Sequence, residues 1–385
     1  MSRPRIALVG WRLGGEFESL IKQGHRRFRY IVVSMVLPDE IRPLVEWHRV
    51  PLLRWPSFRV RWVIFFLLGG LRVIRLRADL VHTIGPTPII PNHVDLNTVT
   101  YCHAAFRQAT AKDRFKGDLI GWRVGERLAR SLEQWWFSRR VRVLVALSAG
   151  SGADLERHYP GVEVAIAPRG IDLRRFRPDD GARRRLREEQ SLSQSDVVAL
   201  FVDQDHRQLK GLHLAIEAFA AASRVEGGPT LLWVLGARNE RCASLADRLG
   251  VIDRVRFLGY RSDPERFYQA ADIFLLPTAY ETFCRSAHEA AACGLPIVAT
   301  AVNGVRELVG ANEGGIIAGC NVEEVARALV TLAAEPELRA HKGSIAKQRA
   351  AVFEQEAVAA RILALHRSLL ERSDYSASHS PSGRS

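Results

Sequence analysis

Short apolar runs, each stopped by Gly, Pro or a polar turn, alternate along this chain with longer stretches of helical period. Arg5–Gly10, Tyr30–Ser34, Asp79–Ile84, Thr98–Cys102, Arg142–Leu147 and Val162–Ala167 read as buried strands. So do Val197–Val202, Thr230–Leu235, Arg256–Leu258, Ile273–Leu276 and Ile297–Ala299. Helical patterns fall between them: one beginning at Glu16, then Trp62–Arg75, Asp118–Ser138, Ser148–His158, Leu212–Ala222, Arg285–Cys293, 322–334, 337–351 and Phe353–Glu371. Apolar strands alternating with helices predict parallel sheets covered on both faces. A charged, Pro- and Gly-containing stretch at 167–190 predicts a linker, which divides the chain into a first domain, 1–167, and a second from 168. The Ser/Gly-rich segment 373–385 is expected to be a disordered tail.

The densest pattern runs from Asp272 to Glu307. A strand ends at Pro277, a polar loop follows at Thr278–Thr282, and an Ala-rich helix closes at Gly294. A second strand then runs into a turn at Asn303-Gly304. This is one βαβ unit. Ligands of such units sit beyond the carboxyl ends of the strands, where helix N-termini offer free N–H groups. Glu281 and Glu289 flank this helix start. Carboxylates are misplaced there for a bare phosphate and well placed for a ligand that also carries sugar hydroxyls. A second candidate phosphate loop is Gly14-Gly15, between the first strand and the helix from Glu16. His103, just past a predicted strand, falls at the rim of the first sheet.

Charge adds an asymmetry. The net charge is +13, and residues 1–166 carry 26 Lys+Arg against 14 Asp+Glu, while the remainder is nearly balanced. A one-sided basic field suits an anionic partner. Between Arg107 and Arg142, ten basic residues face four acidic ones, with Trp122, Trp135 and Trp136 interleaved. This reads either as a solvated helix face or as a membrane-surface or polyanion patch. No nucleic-acid motif supports the polyanion option. Trp62–Arg75 is likewise either a core helix or, with Trp55 and Trp62, an interfacial one. Its ten-residue apolar run, Trp62–Leu71, is short of the about 20 residues a spanning helix needs. The five cysteines show no metal spacing, and Ile6–Trp11 is too short for a signal peptide, so a reducing, cytoplasmic setting is expected.

Pro277, Glu281, Phe283, Glu289, Ala290, Ala292, Gly294, Pro296, Val298 and Ala299 stand in register with the signature of the retaining GT-B glycosyltransferases of family 4, which this chain resembles. Pro168-Arg169-Gly170-Ile171-Asp172, with Phe176 and Pro178, resembles that family's hinge, Arg169 replacing the usual Asn. Lys210-Gly211 and the helix after it also match. The resemblance implies two Rossmann-like domains facing across a cleft. The last helix would cross back, so that about 355–372 joins the acceptor-binding domain 1–167, and 168–354 binds the nucleotide sugar.

It also implies roles. Glu289 would hold the ribose hydroxyls, and Glu281 the donor sugar. Arg207 and Lys210, with the helix start around Phe283, Cys284 and Arg285, would stabilise the departing diphosphate. Gly14 and Gly15 would face the donor phosphates, His103 the donor sugar, and Tyr260 the base. The donor is a substrate; no cofactor and no metal are implied. The implied partners are a nucleotide sugar, a glycan or lipid-linked acceptor in cell-envelope polysaccharide or lipopolysaccharide synthesis, and an anionic membrane surface met from the cytoplasmic side. Besides Arg169, three positions depart from the pattern: Cys284-Arg285 replace Gly-Leu, and Asp203 replaces a glycine. These departures leave a rival reading, an inactive GT-B domain serving as a binding or assembly partner. A further rival is an enzyme of this fold that hydrolyses or epimerises nucleotide sugars.

Overall fold

The computed structural model describes residues 3–11, 13, 15–51, 58–85, 94–110, 119–203, 210–236 and 238–378; within these, 58–64, 66–67, 119–126 and 373–378 are described for the backbone alone. The chain forms two units, of which the described residues are 3–108, 119–170 and 355–378 in one and 109–110 and 171–354 in the other.

The first unit is a seven-stranded, all-parallel sheet in the order β3-β2-β1-β4-β5-β6-β7. Its strands are β1 (Arg5–Val9), β2 (Arg29–Ser34), β3 (Glu46–Arg49), β4 (Leu80–Ile84), β5 (Val94–Thr98), β6 (Val141–Ala146) and β7 (Glu163–Ile166). Helix α1 (Glu16–Gly24) links β1 to β2, and α2 (Phe58–Arg75) links β3 to β4. Between β5 and β6 stand α3 (His103–Thr110) and α4 (Leu119–Arg140), and α5 (Ala149–His158) leads to β7. The links through α2 and α4 step the same way across the sheet and the link through α1 steps the other way. Right-handed crossovers therefore put α2 and α4 on one face and α1 on the other. The last helix, α14 (Gln355–Ser378), lies alongside α1, burying Val358, Ala359, Ile362 and Leu369 with Phe17, Leu20 and Ile21. It runs past Glu371; residues 379–385 lie outside the described residues.

In this unit the sequence does not predict β3, and one expected strand is displaced. The strand before His103 is Val94–Thr98, and Val99–Cys102 is a loop. Polar residues hide it. Asp95 accepts the Val81 N–H at 2.8 Å, and Asn97 donates to Thr83 Oγ1 at 2.7 Å. Strand β5 thus satisfies its polar side chains against β4, which an apolar-run criterion cannot see.

The second unit is a six-stranded parallel sheet in the order β10-β9-β8-β11-β12-β13. Its strands are β8 (Val198–Asp203), β9 (Leu231–Gly236), β10 (Val255–Gly259), β11 (Ile273–Leu276), β12 (Ile297–Thr300) and β13 (Gly315–Ala318). Helices α7 (Leu212–Ala222) and α12 (Val322–Ala334) cover one face, packing Ile216, Phe219, Leu329 and Leu332 onto Phe201, Val234 and Leu275. The stretch expected to be a linker is not all linker: Asp180–Glu189 is helix α6, capped by Asp179, which accepts the Ala182 N–H at 2.8 Å. Its arginines serve the fold. Arg183 and Arg187 reach buried Asp272 at 2.6 and 3.1 Å, and Asp272 also takes the Val198 N–H at 2.8 Å. A buried carboxylate needs such compensation, and here it ties α6 to the start of β11.

Candidate functional site

Strand order in the second unit reverses at β8. The chain steps outward through β9 to β10, then returns to place β11 on the other side of β8. Loops leaving β8 and β11 therefore part at their carboxyl ends, the position where open α/β sheets bind ligands. The loop after β8 ends in Lys210 and Gly211; the loop after β11 carries Glu281, Phe283 and Cys284. The two loops are joined at the crevice by an ion pair in which Lys210 Nζ donates to Glu281 Oε1. Gly211 lets them approach. It has φ +78°, and a Cβ there would stand 2.0 Å from the Pro277 carbonyl oxygen.

Helix α10 (Arg285–Ala292) starts in this loop. Cys284 precedes it in the left-handed conformation, φ 64° and ψ 66°, without a side-chain cap. This is the position where the family pattern has glycine, and the conformation explains the preference: a side chain there costs about 1–2 kcal/mol. Cys284 is fully buried, and burial, with the Glu281 charge adding to it, pushes its thiol up to about 12. Behind it, His288 stacks on Phe283 with ring centroids 3.9 Å apart and hydrogen-bonds the Cys284 carbonyl oxygen at 3.0 Å. Burial holds His288 down to about 4, so a neutral imidazole supports the loop.

One turn into α10, Glu289 accepts from Arg285 Nε at 2.9 Å and from the Tyr268 hydroxyl at 3.1 Å. Burial raises the Glu289 carboxyl, and Arg285 followed by Tyr268 pulls it back. Arg285, four residues before Glu289 on the same helix, is therefore the chief cation that offsets the burial of this carboxylate. Lys210, Glu281, Phe283, Cys284, Arg285 and Glu289 all belong to this one cluster. Tyr260 does not: it follows the edge strand β10 and is 72% exposed. Arg207 lies outside the described residues.

In the first unit, Gly15 (φ +60°) precedes α1 at the carboxyl end of β1, while Gly14 lies outside the described residues. Glu16, the first residue of α1, is buried and pairs through Oε1 with Arg169 Nε at 2.9 Å. The replacement at the hinge thus has a partner that sequence reading missed. His103 opens α3 beyond β5, with its imidazole and the Tyr101 ring packed edge to face, centroids 4.8 Å apart. On α4, Leu128 (62% exposed), Leu132 and Trp135 form an outward stripe. Beside it a groove is lined by Arg107, Arg127, Arg130 and Arg139, none of which is paired with a carboxylate among the described residues. Trp136 is buried, contrary to a surface role for the whole tryptophan cluster. Trp55 and the side chains of Trp62 and Trp122 lie outside the described residues. Among the described residues, no helix is long and apolar enough to cross a membrane, and no three His, Cys, Asp or Glu side chains are grouped to hold a metal ion.

Two family models match end to end along the chain: "Glycosyltransferase Family 4" over residues 18–175 and "Glycosyl transferases group 1" over 182–349. The chain belongs to the group 1, family 4 glycosyltransferases. This family member is 32% identical over 247 residues to a D-inositol 3-phosphate glycosyltransferase of Corynebacterium urealyticum, covering 59% of this chain and 57% of that protein. It spans little more than half the length of the first relatives it matches, 57%, 52% and 50%. Among solved structures it resembles WaaG, a glycosyltransferase involved in lipopolysaccharide biosynthesis (TM-score 0.76, 21% identity, 93% of this chain and 98% of that one). It also resembles Anabaena HepE in complex with UDP and glucose (TM-score 0.72, 17% identity, 95% and 100%). The two units of this family 4 chain have the GT-B fold.

Proposed function

We propose that this chain is a retaining glycosyltransferase that takes its sugar from a nucleotide-sugar donor. The observation that carries the reading is the Lys210–Glu281 pair at the switch point, with the Arg285–Glu289 pair one turn into the adjoining helix. A nucleotide sugar needs acceptors for ribose and hexose hydroxyls and cations for its diphosphate, and these side chains supply both. Glu289 takes the ribose hydroxyls and Glu281 the sugar. Lys210 and Arg207, with the start of α10, stabilise the charge that grows on the β-phosphate as its bond to the anomeric carbon breaks. The acceptor hydroxyl attacks from the face the phosphate is leaving, and the departing phosphate oxygen takes its proton. The new glycosidic bond then keeps the anomeric configuration, with no protein nucleophile and no metal.

For the acceptor we propose a phosphorylated or lipid-linked glycan taken up by the basic first unit, with the enzyme peripheral at the cytoplasmic face of an anionic membrane. The unpaired arginines of the α3–α4 groove and the Leu128–Leu132–Trp135 stripe support this partner, since cationic side chains beside exposed Leu and Trp suit a headgroup layer. The test is a thermal-shift screen with UDP-, GDP- and ADP-sugars, followed by nucleotide-release assays with and without acceptor. Stabilisation by one donor class and acceptor-dependent release are expected. Release without acceptor points to hydrolysis, and conversion of the donor without acceptor and without net release points to epimerisation. If no donor binds and no nucleotide is released, the rival role as an inactive binding or assembly partner takes over.

A further inference from the structure

Helix α3 begins at His103, and the first N–H groups of any helix lack partners within it. The residue in front is Cys102, whose Sγ accepts the Ala105 N–H at 3.5 Å. A thiol is a weak replacement for the Ser, Thr, Asp or Asn that caps helices well. The stronger acceptor comes from another helix. Glu133, on the inner side of α4, lays its carboxylate over the start of α3, and both oxygens accept the His103 N–H at 3.0 Å. The Tyr159 hydroxyl donates to the same carboxylate, and Cys102 Sγ lies 3.9 Å from Oε1. Burial raises the Glu133 carboxyl, and Tyr159 and the His103 N–H draw it back.

A helix of eight residues gains little from a charged cap, whereas removing a carboxylate from water is expensive. A neutral acceptor would serve the helix nearly as well. What Glu133 adds, reaching across from α4, is a fixed anchor on the first backbone N–H groups of α3, those of His103 and Ala104, with His103 held by both oxygens. We propose that Glu133, through its grip on the His103 N–H, is a positioning residue that sets where the His103 imidazole is presented beyond β5. The inference rests on the reading of His103 as a residue of the transfer site.

The test is a double-mutant cycle in the full chain, with nucleotide release as the assay. H103A is expected to lower kcat at least tenfold. E133A is expected to lower kcat by a similar factor while leaving KM for the nucleotide sugar within twofold, because Lys210, Glu281 and Glu289 are untouched. In the H103A background E133A should change nothing further. E133Q keeps an acceptor oxygen and should restore most of kcat, which separates positioning from loss of the fold. NMR of labelled histidine supplies a readout without turnover: the His103 imidazole signal should shift or broaden in E133A and stay near wild type in E133Q. Equal losses from E133A with and without His103, or full activity of E133A where H103A is dead, overturn the proposal. Full activity of H103A overturns the reading of His103 itself.

Discussion

Acid should loosen the first unit at one identifiable place. His82 of β4 and His366 of α14 are both fully buried, with His82 Nδ1 and His366 Nε2 3.0 Å apart and His82 Nε2 2.8 Å from Thr98 Oγ1. A hydrogen bond between two imidazoles needs one donor and one acceptor, so the two rings are not protonated together, and burial disfavours the charge on either. Burial holds His366 down to about 3; burial, then the charge of its neighbour, holds His82 well below its ordinary value. Unfolded, each would titrate near 6.5. The folded values are depressed, so as pH falls the unfolded chain binds protons first. The stability is complete above about pH 6.5 and drains as pH falls toward about 3. His366 removes about 1.4 kcal/mol per pH unit in that window. At pH 5 the loss from His366 is about 2 kcal/mol, and His82 adds to it in the same direction, against a typical domain stability of about 5–15 kcal/mol. Hydrogen exchange of the β4 and α14 amides from pH 8 to pH 5, corrected for intrinsic rates, measures it. His366→Leu should lower protection at pH 8, because His82 loses a partner, and clearly reduce the dependence on pH. A variant that keeps the full wild-type pH slope would refute the assignment.

Three further outcomes follow from the second unit. Glu281→Ala removes the partner of Lys210 and should cut nucleotide release about a hundredfold or more, as loss of a transition-state contact does, with the melting temperature little changed. Arg285→Leu leaves Glu289 with Tyr268 alone; stability should fall by about 1 kcal/mol. The Glu289 carboxyl, already raised by burial, should then rise further. Donor-induced stabilisation in that variant should be weaker at pH 6 than at pH 8, which thermal shift at the two pH values checks. Gly211→Ala drives a Cβ into the Pro277 carbonyl at a positive φ. It should cost at least about 2 kcal/mol, roughly 4–8 °C for a unit of this size, and abolish donor binding.

The βαβ unit around Glu281 and Glu289 was legible because nearly everything in it is local. Strands β11 and β12 are apolar throughout, and the loop and helix between them are contiguous in sequence. The misses share a different origin. Strand β5 carries Asp95 and Asn97, whose partners sit on β4, and α6 hides its role because Asp272 lies 85 residues beyond Arg187. Glu16 with Arg169, and Glu133 with His103, are pairs 153 and 30 residues apart. A side chain whose task is to satisfy a distant one has no periodicity to betray it. The left-handed Cys284 lies between the two cases. The departure from glycine could be seen, but not that the backbone there keeps the conformation glycine favours.

The return of α14 to the first unit also orders events during synthesis. Nearly all of the second unit is one continuous segment, 171–354, which can close as soon as it leaves the ribosome. The first unit has most of its chain made earlier, yet α1 lacks its companion and His82 its imidazole neighbour until residues 355–378 emerge. Until then the apolar faces of Phe17, Leu20 and Ile21 stand uncovered. The part of the protein made first is therefore the part completed last.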